Sequence, residues 1–381
     1  MKYFASLSRT TCCMVAALLF TLIPFMAHAF AADPARPQIP RAPFPYERRE
    51  VAFEGGAAGV TLAGTLTVPS GATSMPAVVL VHGSGKTDRD ESAFGHKPFW
   101  VLADALSRAG YAVLRYDKRG VGQSTGDGRA ATTLNFESDA RAAVDYLKRV
   151  PGIDPKRIAI IGHSEGGTIA ALMSGSASPP AAAISLGGMI APFAEQIILQ
   201  EINTGRDDGA DSHYETLVRR YYGQVEQAAR TVDDAERMVQ MKAISQAWVA
   251  DFPASDRNAP AAEDSLLAHP GFLASRWFRT FLNLDVAAAI SRGHGPLLVV
   301  NGSTDHQVAA GPNLNAARQA LGRETATRHT LLLHGLNHLL QESASGSSNE
   351  YASIEQTMSP RAINAVIAFL NSTIGATKNR M

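Results

Sequence analysis

Gly162-His163-Ser164-Glu165-Gly166 places a serine between two glycines, in the pattern Gly-x-Ser-x-Gly. A serine hydroxyl is a weak nucleophile until a neighbouring base takes its proton, so the pattern matters only in the right setting. Here Arg157–Ile161 reads as a buried strand directly before it, and Gly166–Met173 as a helix of small residues directly after. A strand-to-helix turn this sharp strains the serine backbone, and a Cβ at Gly162 or Gly166 would collide with the neighbouring strand or helix. The turn also sets Ser164 at a helix N-terminus, where unpaired N–H groups and the helix dipole favour a developing negative charge. The pattern therefore points to acyl transfer, with Ser164 as nucleophile and the backbone N–H of Glu165 as one oxyanion donor. A glycine-rich turn without chemistry is the competing explanation.

The remaining parts of such a site lie elsewhere in the chain. His82-Gly83-Ser84-Gly85 follows the apolar run Ala77–Val81, and Ser84 is the expected second oxyanion donor, with Gly85 as the alternative. Where the serine sits on a strand-to-helix turn of an α/β sheet, the acid and then the base follow it along the chain. Asp305 stands just after the strand-like Pro296–Val300 and is the expected acid; Asp285 precedes that strand, at the wrong edge. His334 and His338 both follow the strand-like Thr330–Leu333. His338 lies one loop further on, where its ring can swing over the sheet edge, so it is the expected base and His334 a structural residue. Asp117 and Arg119 read as braces of the glycine-rich turn Asp117–Ser124. Asp88, Arg89, Asp90, Glu91 and His96 read as a solvated polar loop or, alternatively, a pocket wall. No His-Glu-x-x-His or similar spacing occurs, so neither metal nor cofactor is expected.

These residues need a frame that brings them to one edge. Strand-like and helix-like segments alternate: Arg49–Phe53 and Val60–Val68 as two antiparallel strands, then Ala77–Val81, Phe99–Arg108, Ala112–Tyr116, Phe136–Arg149, Arg157–Ile161, Gly166–Met173 and Ala181–Leu186. Repeated β-then-α units imply a mostly parallel central sheet with helices on both faces. From about Phe193 to Leu284 the sequence is mostly helical and polar, clearest at Tyr214–Tyr222 and Val232–Val249. Alternation then resumes with Pro296–Val300, Leu314–Leu321, Thr330–Leu333 and Pro360–Leu370. A helical insertion between the sixth and seventh strands reads as a lid over the strand ends where ligands bind. Its Trp248, Trp277 and Phe278 are candidates for an apolar substrate wall, Trp277 and Phe278 foremost. The expected organisation is 1–29 signal peptide, 30–48 extended lead-in, 49–192 first part of the core, 193–290 lid, and 291–381 second part of the core.

Composition narrows the partners. Lys plus Arg (35) equals Asp plus Glu (35), so the basic footprint of a nucleic-acid binder is missing and a small-molecule substrate is expected. Lys2 and Arg9 precede an apolar stretch from Cys12 to Met26, and Ala27-His28-Ala29 offers a cleavage site; cleavage after Ala29 or Ala31 fits equally. A membrane anchor needs roughly 20 apolar residues, and this core is shorter, so a periplasmic or secreted protein without stable membrane insertion is expected. Both cysteines, Cys12 and Cys13, fall within the signal, which leaves the mature chain without disulfide or thiol.

Taken together, several runs resemble the EstD-type carboxylesterases of the bacterial α/β-hydrolases. They are His82–Gly85 with Asp88–Glu91 and Gly95–Phe99, the Tyr116–Gly126 turn, Gly162–Gly167, Trp277-Phe278-Arg279, Asp305–Val308, Gly335–Leu339 and Glu355–Pro360. The likeness spans about Glu50 to Leu370 and is weakest through the lid. It implies an α/β-hydrolase fold and hydrolysis of short-chain carboxylic esters by Ser164, Asp305 and His338. His82 and Lys86 depart from the small apolar residue and proline usual in that group. The group is also similar to serine aminopeptidases, so peptidase and acyltransferase activities stand as alternatives.

Overall fold

A computed structural model describes residues 36–71 and 74–375. The expected signal segment, 1–29, lies outside the described residues, as does the beginning of the lead-in. Eight strands form one sheet: β1 (Tyr46–Glu54), β2 (Thr61–Pro69), β3 (Met75–Val81), β4 (Ala112–Tyr116), β5 (Ile153–His163), β6 (Ala182–Leu186), β7 (Leu297–Gly302) and β8 (Arg328–Leu333). Their spatial order is β1-β2-β4-β3-β5-β6-β7-β8. β1 pairs with β2, and β2 with β4, antiparallel; every later pair is parallel. The fold is the expected α/β-hydrolase fold.

Why the central strands are apolar along their whole length is visible in β3. Ala77, Val79 and Val81 enter one core and Val78 and Leu80 the other, because successive side chains point to opposite faces and both faces are covered. On one face lie α1 (Pro98–Arg108) and, at the end of the chain, α12 (Pro360–Thr373), contributing Phe99, Leu102, Val366 and Phe369. The other face carries α2 (Thr133–Lys148) and α3 (Glu165–Ser174), with Ala140, Leu147, Ile169 and Ala170 inward.

After β6 the chain makes the helices α4 (Phe193–Asp207), α5 (Ser212–Ala229), α6 (Asp234–Ala250), α7 (Ala259–Asp264), α8 (Pro270–Leu273) and α9 (Arg276–Leu282) before a last helix leads into β7. Asp211 and Asp233 cap α5 and α6 by accepting backbone N–H groups of the first turn. These helices enclose a core of their own, centred on Trp248, whose ring meets Tyr214 at 5.4 Å and Phe252 at 4.8 Å. The expected lid stretch ran to residue 290, but α10 (Val286–Arg292) buries Val286 and Ile290 in the sheet core beside α11 (Ala310–Leu321). α10 is thus the crossover helix into β7. Asp285, set aside as a catalytic acid, caps it by accepting the N–H of Ala288 at 2.8 Å.

The described part of the lead-in is fastened rather than freely extended. Arg36 donates to the carbonyls of Ala352 and Ile354, and Gln38 exchanges hydrogen bonds with Thr357 and Met358.

Candidate active site

Ser164 ends β5 and opens α3 with φ 53° and ψ −120°, a region that residues with a Cβ rarely enter. The glycines around it are obligatory on steric grounds. A Cβ at Gly162 would lie 1.8 Å from the carbonyl oxygen of Gly166, and one at Gly166 would lie 1.8 Å from that of Val81. The Ser164 N–H donates to the Leu186 carbonyl at 2.9 Å, which ties the turn to the end of β6. From the other side, the loop after β3 comes so close that a Cβ on Gly83 would stand 3.1 Å from that of Ser164.

Asp305 and His338 meet in the loops that follow β7 and β8. His338 Nδ1 lies 2.9 Å from Asp305 Oδ2, and both side chains are buried. Asp305 Oδ1 accepts the N–H groups of Gln307 at 2.9 Å and Val308 at 2.8 Å, so the carboxylate is fixed by its own loop. Facing a carboxylate, Nδ1 carries the proton, which leaves the lone pair of the neutral ring on Nε2. Gly187, just past β6 at φ 57°, admits the pair: a Cβ there would be 3.3 Å from His338 Nδ1. His334 stays exposed at the end of β8, where its carbonyl accepts from Arg361.

A buried pair beneath the site escaped sequence reasoning. Glu91 Oε1 accepts the Gly83 N–H at 2.6 Å and faces His163 Nδ1 at 3.1 Å. His163 Nε2 faces the carbonyl of His338 at 2.9 Å. Both ring nitrogens meet acceptors, which only an imidazolium satisfies. Burial alone would lower its pKa, but the Glu91 charge and hydrogen bond, with the His338 carbonyl, push it up to about 9. Glu91 itself sits at φ 53°. His82 goes the other way: burial, then the Lys118 charge, hold it down to about 4, and its Nε2 meets the Tyr116 carbonyl at 2.9 Å.

The segment 88–96 does not line the cavity, and its charged residues are tied down even though Ser92, Phe94 and Gly95 are exposed. Arg89 pairs with Asp117, Asp90 with Arg115, and His96 is buried against Thr357 and Tyr351. Asp117 and Arg119 brace their turn as expected: Asp117 also accepts the Gln123 N–H, and Arg119 binds Asp139 at 2.7 Å.

Ser164 opens onto a cavity of about 700 Å³. Ser84 and Gly85 line it from the loop after β3, and Gln307 and Val308 from the Asp305 loop. The lid contributes Phe193, Ile197, Leu266, Phe272 and Trp277. Trp277 is thus where the sequence placed it. Phe278 and Trp248 are not; both are fully buried in the lid core, Phe278 against Phe193 and Phe272, and neither lines the cavity. A lid helix presents only part of its circumference to the cavity, and the residue next to Trp277 faces away.

At the cavity floor Lys118 Nζ lies 2.8 Å from both the Gly83 carbonyl and Glu165 Oε2. Glu165 Oε1 accepts from Trp277 Nε1 at 2.6 Å and from Thr133 Oγ1 at 2.7 Å. Lys118 was read only as part of a turn, and no local pattern announces its partners, the nearer of which is 35 residues away.

The frame and this edge define the class. Residues 78–346 match the alpha/beta hydrolase family, and the chain belongs to it. Among curated proteins it is similar to Esterase EstD of Thermotoga maritima, 27% identical over 305 residues, which are 78% of this chain and 61% of that protein. It is also similar to the quorum-quenching protein AidA of Acinetobacter baumannii, 29% identical over 167 residues, 44% of this chain and 50% of that one. The chain thus spans between half and about three fifths of the length of these two relatives. Among solved structures, the α/β hydrolase GrgF of Penicillium sp. sh18 superimposes with a TM-score of 0.53 at 17% identity, covering 86% of this chain and 99% of its own. An esterase of Pyrococcus furiosus does so at 0.52 and 16%, covering 87% and 92%. These two likenesses are of fold.

Proposed function

We propose that the protein is a serine carboxylesterase acting on short-chain carboxylic esters through an acyl-enzyme, with Ser164 as nucleophile, His338 as base and Asp305 as its partner. The observation that carries the reading is the buried 2.9 Å contact of His338 with Asp305, at the same sheet edge as the strained Ser164. His338 Nε2 takes the Ser164 proton as the hydroxyl attacks the ester carbonyl, and Asp305 holds the imidazole tautomer and stabilises the imidazolium. The backbone N–H groups of Glu165 and Ser84 receive the oxyanion, each such donor contributing about 3 kcal/mol. His338 then protonates the leaving alcohol, and water releases the acyl group by the same route. The apolar lid side chains around the cavity suit an acyl chain, and the preference for short ones is what the resemblance to EstD-type carboxylesterases implies.

A fluorophosphonate probe tests the nucleophile: it should label the wild type and not Ser164→Ala. A series of nitrophenyl esters from acetate to palmitate then reads the acyl preference. Cleavage of aminoacyl nitroanilides with little action on the esters would replace this reading by a peptidase. We further propose export to the periplasm or medium, on the strength of the charged start, short apolar core and Ala-x-Ala ending.

A further inference from the structure

The Lys118–Glu165 pair is costly to build and has no role in the chemistry just described. Its side chains are 4% and 2% exposed, and taking two opposite charges out of water gains little stability over apolar residues of similar size. What the pair touches suggests its use. Lys118 Nζ binds the carbonyl of Gly83, which shares a peptide plane with the Ser84 N–H. In a trans peptide these two groups point in opposite directions, so holding the oxygen aims the N–H. The Gly83 N–H is held as well, by Glu91, so Gly83 is gripped at both of its polar groups. On the other side, Glu165 supplies the second N–H from its backbone, and its carboxylate is fixed by Lys118, Thr133 and Trp277. The Lys118 ammonium also lies 4.0 Å from the centre of the Phe136 ring, which closes off its remaining side.

We propose that Lys118 and the Glu165 carboxylate are positioning residues that set both oxyanion donors relative to each other, and that Trp277 ties this setting to the lid. The inference rests on the esterase reading above. One ion pair bridges the two chain segments that must present N–H groups to one oxygen atom. The lid joins through the indole N–H, so an acyl group packed against Trp277 bears on the same carboxylate that orients the donors.

Lys118→Met keeps the unbranched chain as far as the ε position and removes the ammonium. It should lower kcat on nitrophenyl acetate about 100-fold, the scale of one lost oxyanion donor, with KM changed less than about threefold. Two ketone inhibitors separate positioning from general damage. A trifluoromethyl ketone, which adds Ser164 and places an oxyanion between the donors, should bind about 100-fold more weakly; the matching methyl ketone, which binds without addition, should be unaffected. Glu165→Gln keeps an acceptor for Trp277 and Thr133 and should show the same split. The double variant should lose no more than the worse single one, because the two side chains act as one unit. If Lys118→Met does not fold, Glu165→Gln carries the same comparison. A folded variant with kcat and trifluoromethyl ketone affinity within about threefold of wild type overturns the proposal, as does an equal loss for both ketones. Failure of the esterase reading looks different: the wild type itself would neither hydrolyse esters nor be labelled at Ser164.

Discussion

Replacing Glu91 and His163 together by glutamine should remove a specific piece of the pH dependence of stability. The imidazolium is held at about 9 in the fold, and an unfolded histidine titrates near 6.5. A group whose folded pKa is raised contributes its full stabilisation below the unfolded value and loses it as pH rises through the folded one. Each unit of pKa is worth about 1.4 kcal/mol, so the wild type should lose roughly 3 kcal/mol between about pH 6.5 and pH 9 from this group alone. Because both partners are buried, solvent screening takes little from that figure. The carboxyl of Glu91 opposes its own burial through His163 and the Gly83 N–H and is held below its ordinary value; its contribution is lost as pH falls. The double variant titrates at neither position, and the remaining groups are common to both proteins. Urea unfolding followed by tryptophan fluorescence at about pH 6, 7.5 and 9.5 gives both curves, and their difference isolates the pair. The gap between wild type and variant should close by roughly 3 kcal/mol across that range. Curves that run parallel would show that His163 is neutral in the fold, and the charge assignment would then be wrong.

The other expectations are simpler to state. His338→Ala should lose on the order of 10⁴-fold or more in kcat, and His334→Ala less than about tenfold, with circular dichroism to confirm folding; the opposite ranking would make His334 the base. Trp277→Ala should change the chain-length profile on nitrophenyl esters while nitrophenyl acetate hydrolysis stays within about tenfold; an unchanged profile would reduce Trp277 to a packing residue. Mass spectrometry of protein recovered from the periplasm or medium should find its N-terminus between Phe30 and Asp33, and an intact Met1 would contradict export.

Most of the sheet was legible because parallel strands buried on both faces are short apolar runs, and helices between them repeat at their own period. β4 matches its expected span residue for residue, and the others differ by a few positions at their ends. The placing of Ser164, Asp305 and His338 at one sheet edge was legible for a different reason: in a sheet of this kind the expected order along the chain puts each of them just after a strand. Glu91, His163 and Lys118 were not, since their meaning lies in partners 35 to 175 residues away that only the folded sheet edge assembles. The lid misled for a third reason. An aromatic residue that packs inside the lid and one that faces the cavity have the same composition, so Phe278 and Trp248 looked no different from Trp277. The α10 segment was assigned to the lid because helix follows helix there without a strand to mark the return.

The position of α10 bears on how such a chain can change over generations. The β6–α10–β7 crossover is complete without the lid, and α4 to α9 keep a hydrophobic centre of their own. The lid segment can thus vary in sequence without a change of strand register, but α4 also holds the Asp305 loop, with Asp207 facing His306 Nδ1 and Gln196 accepting the Ala309 N–H. The Trp277–Glu165 bond is a further tie, since a foreign segment without such a donor would leave the Glu165 carboxylate held by Lys118 and Thr133 alone.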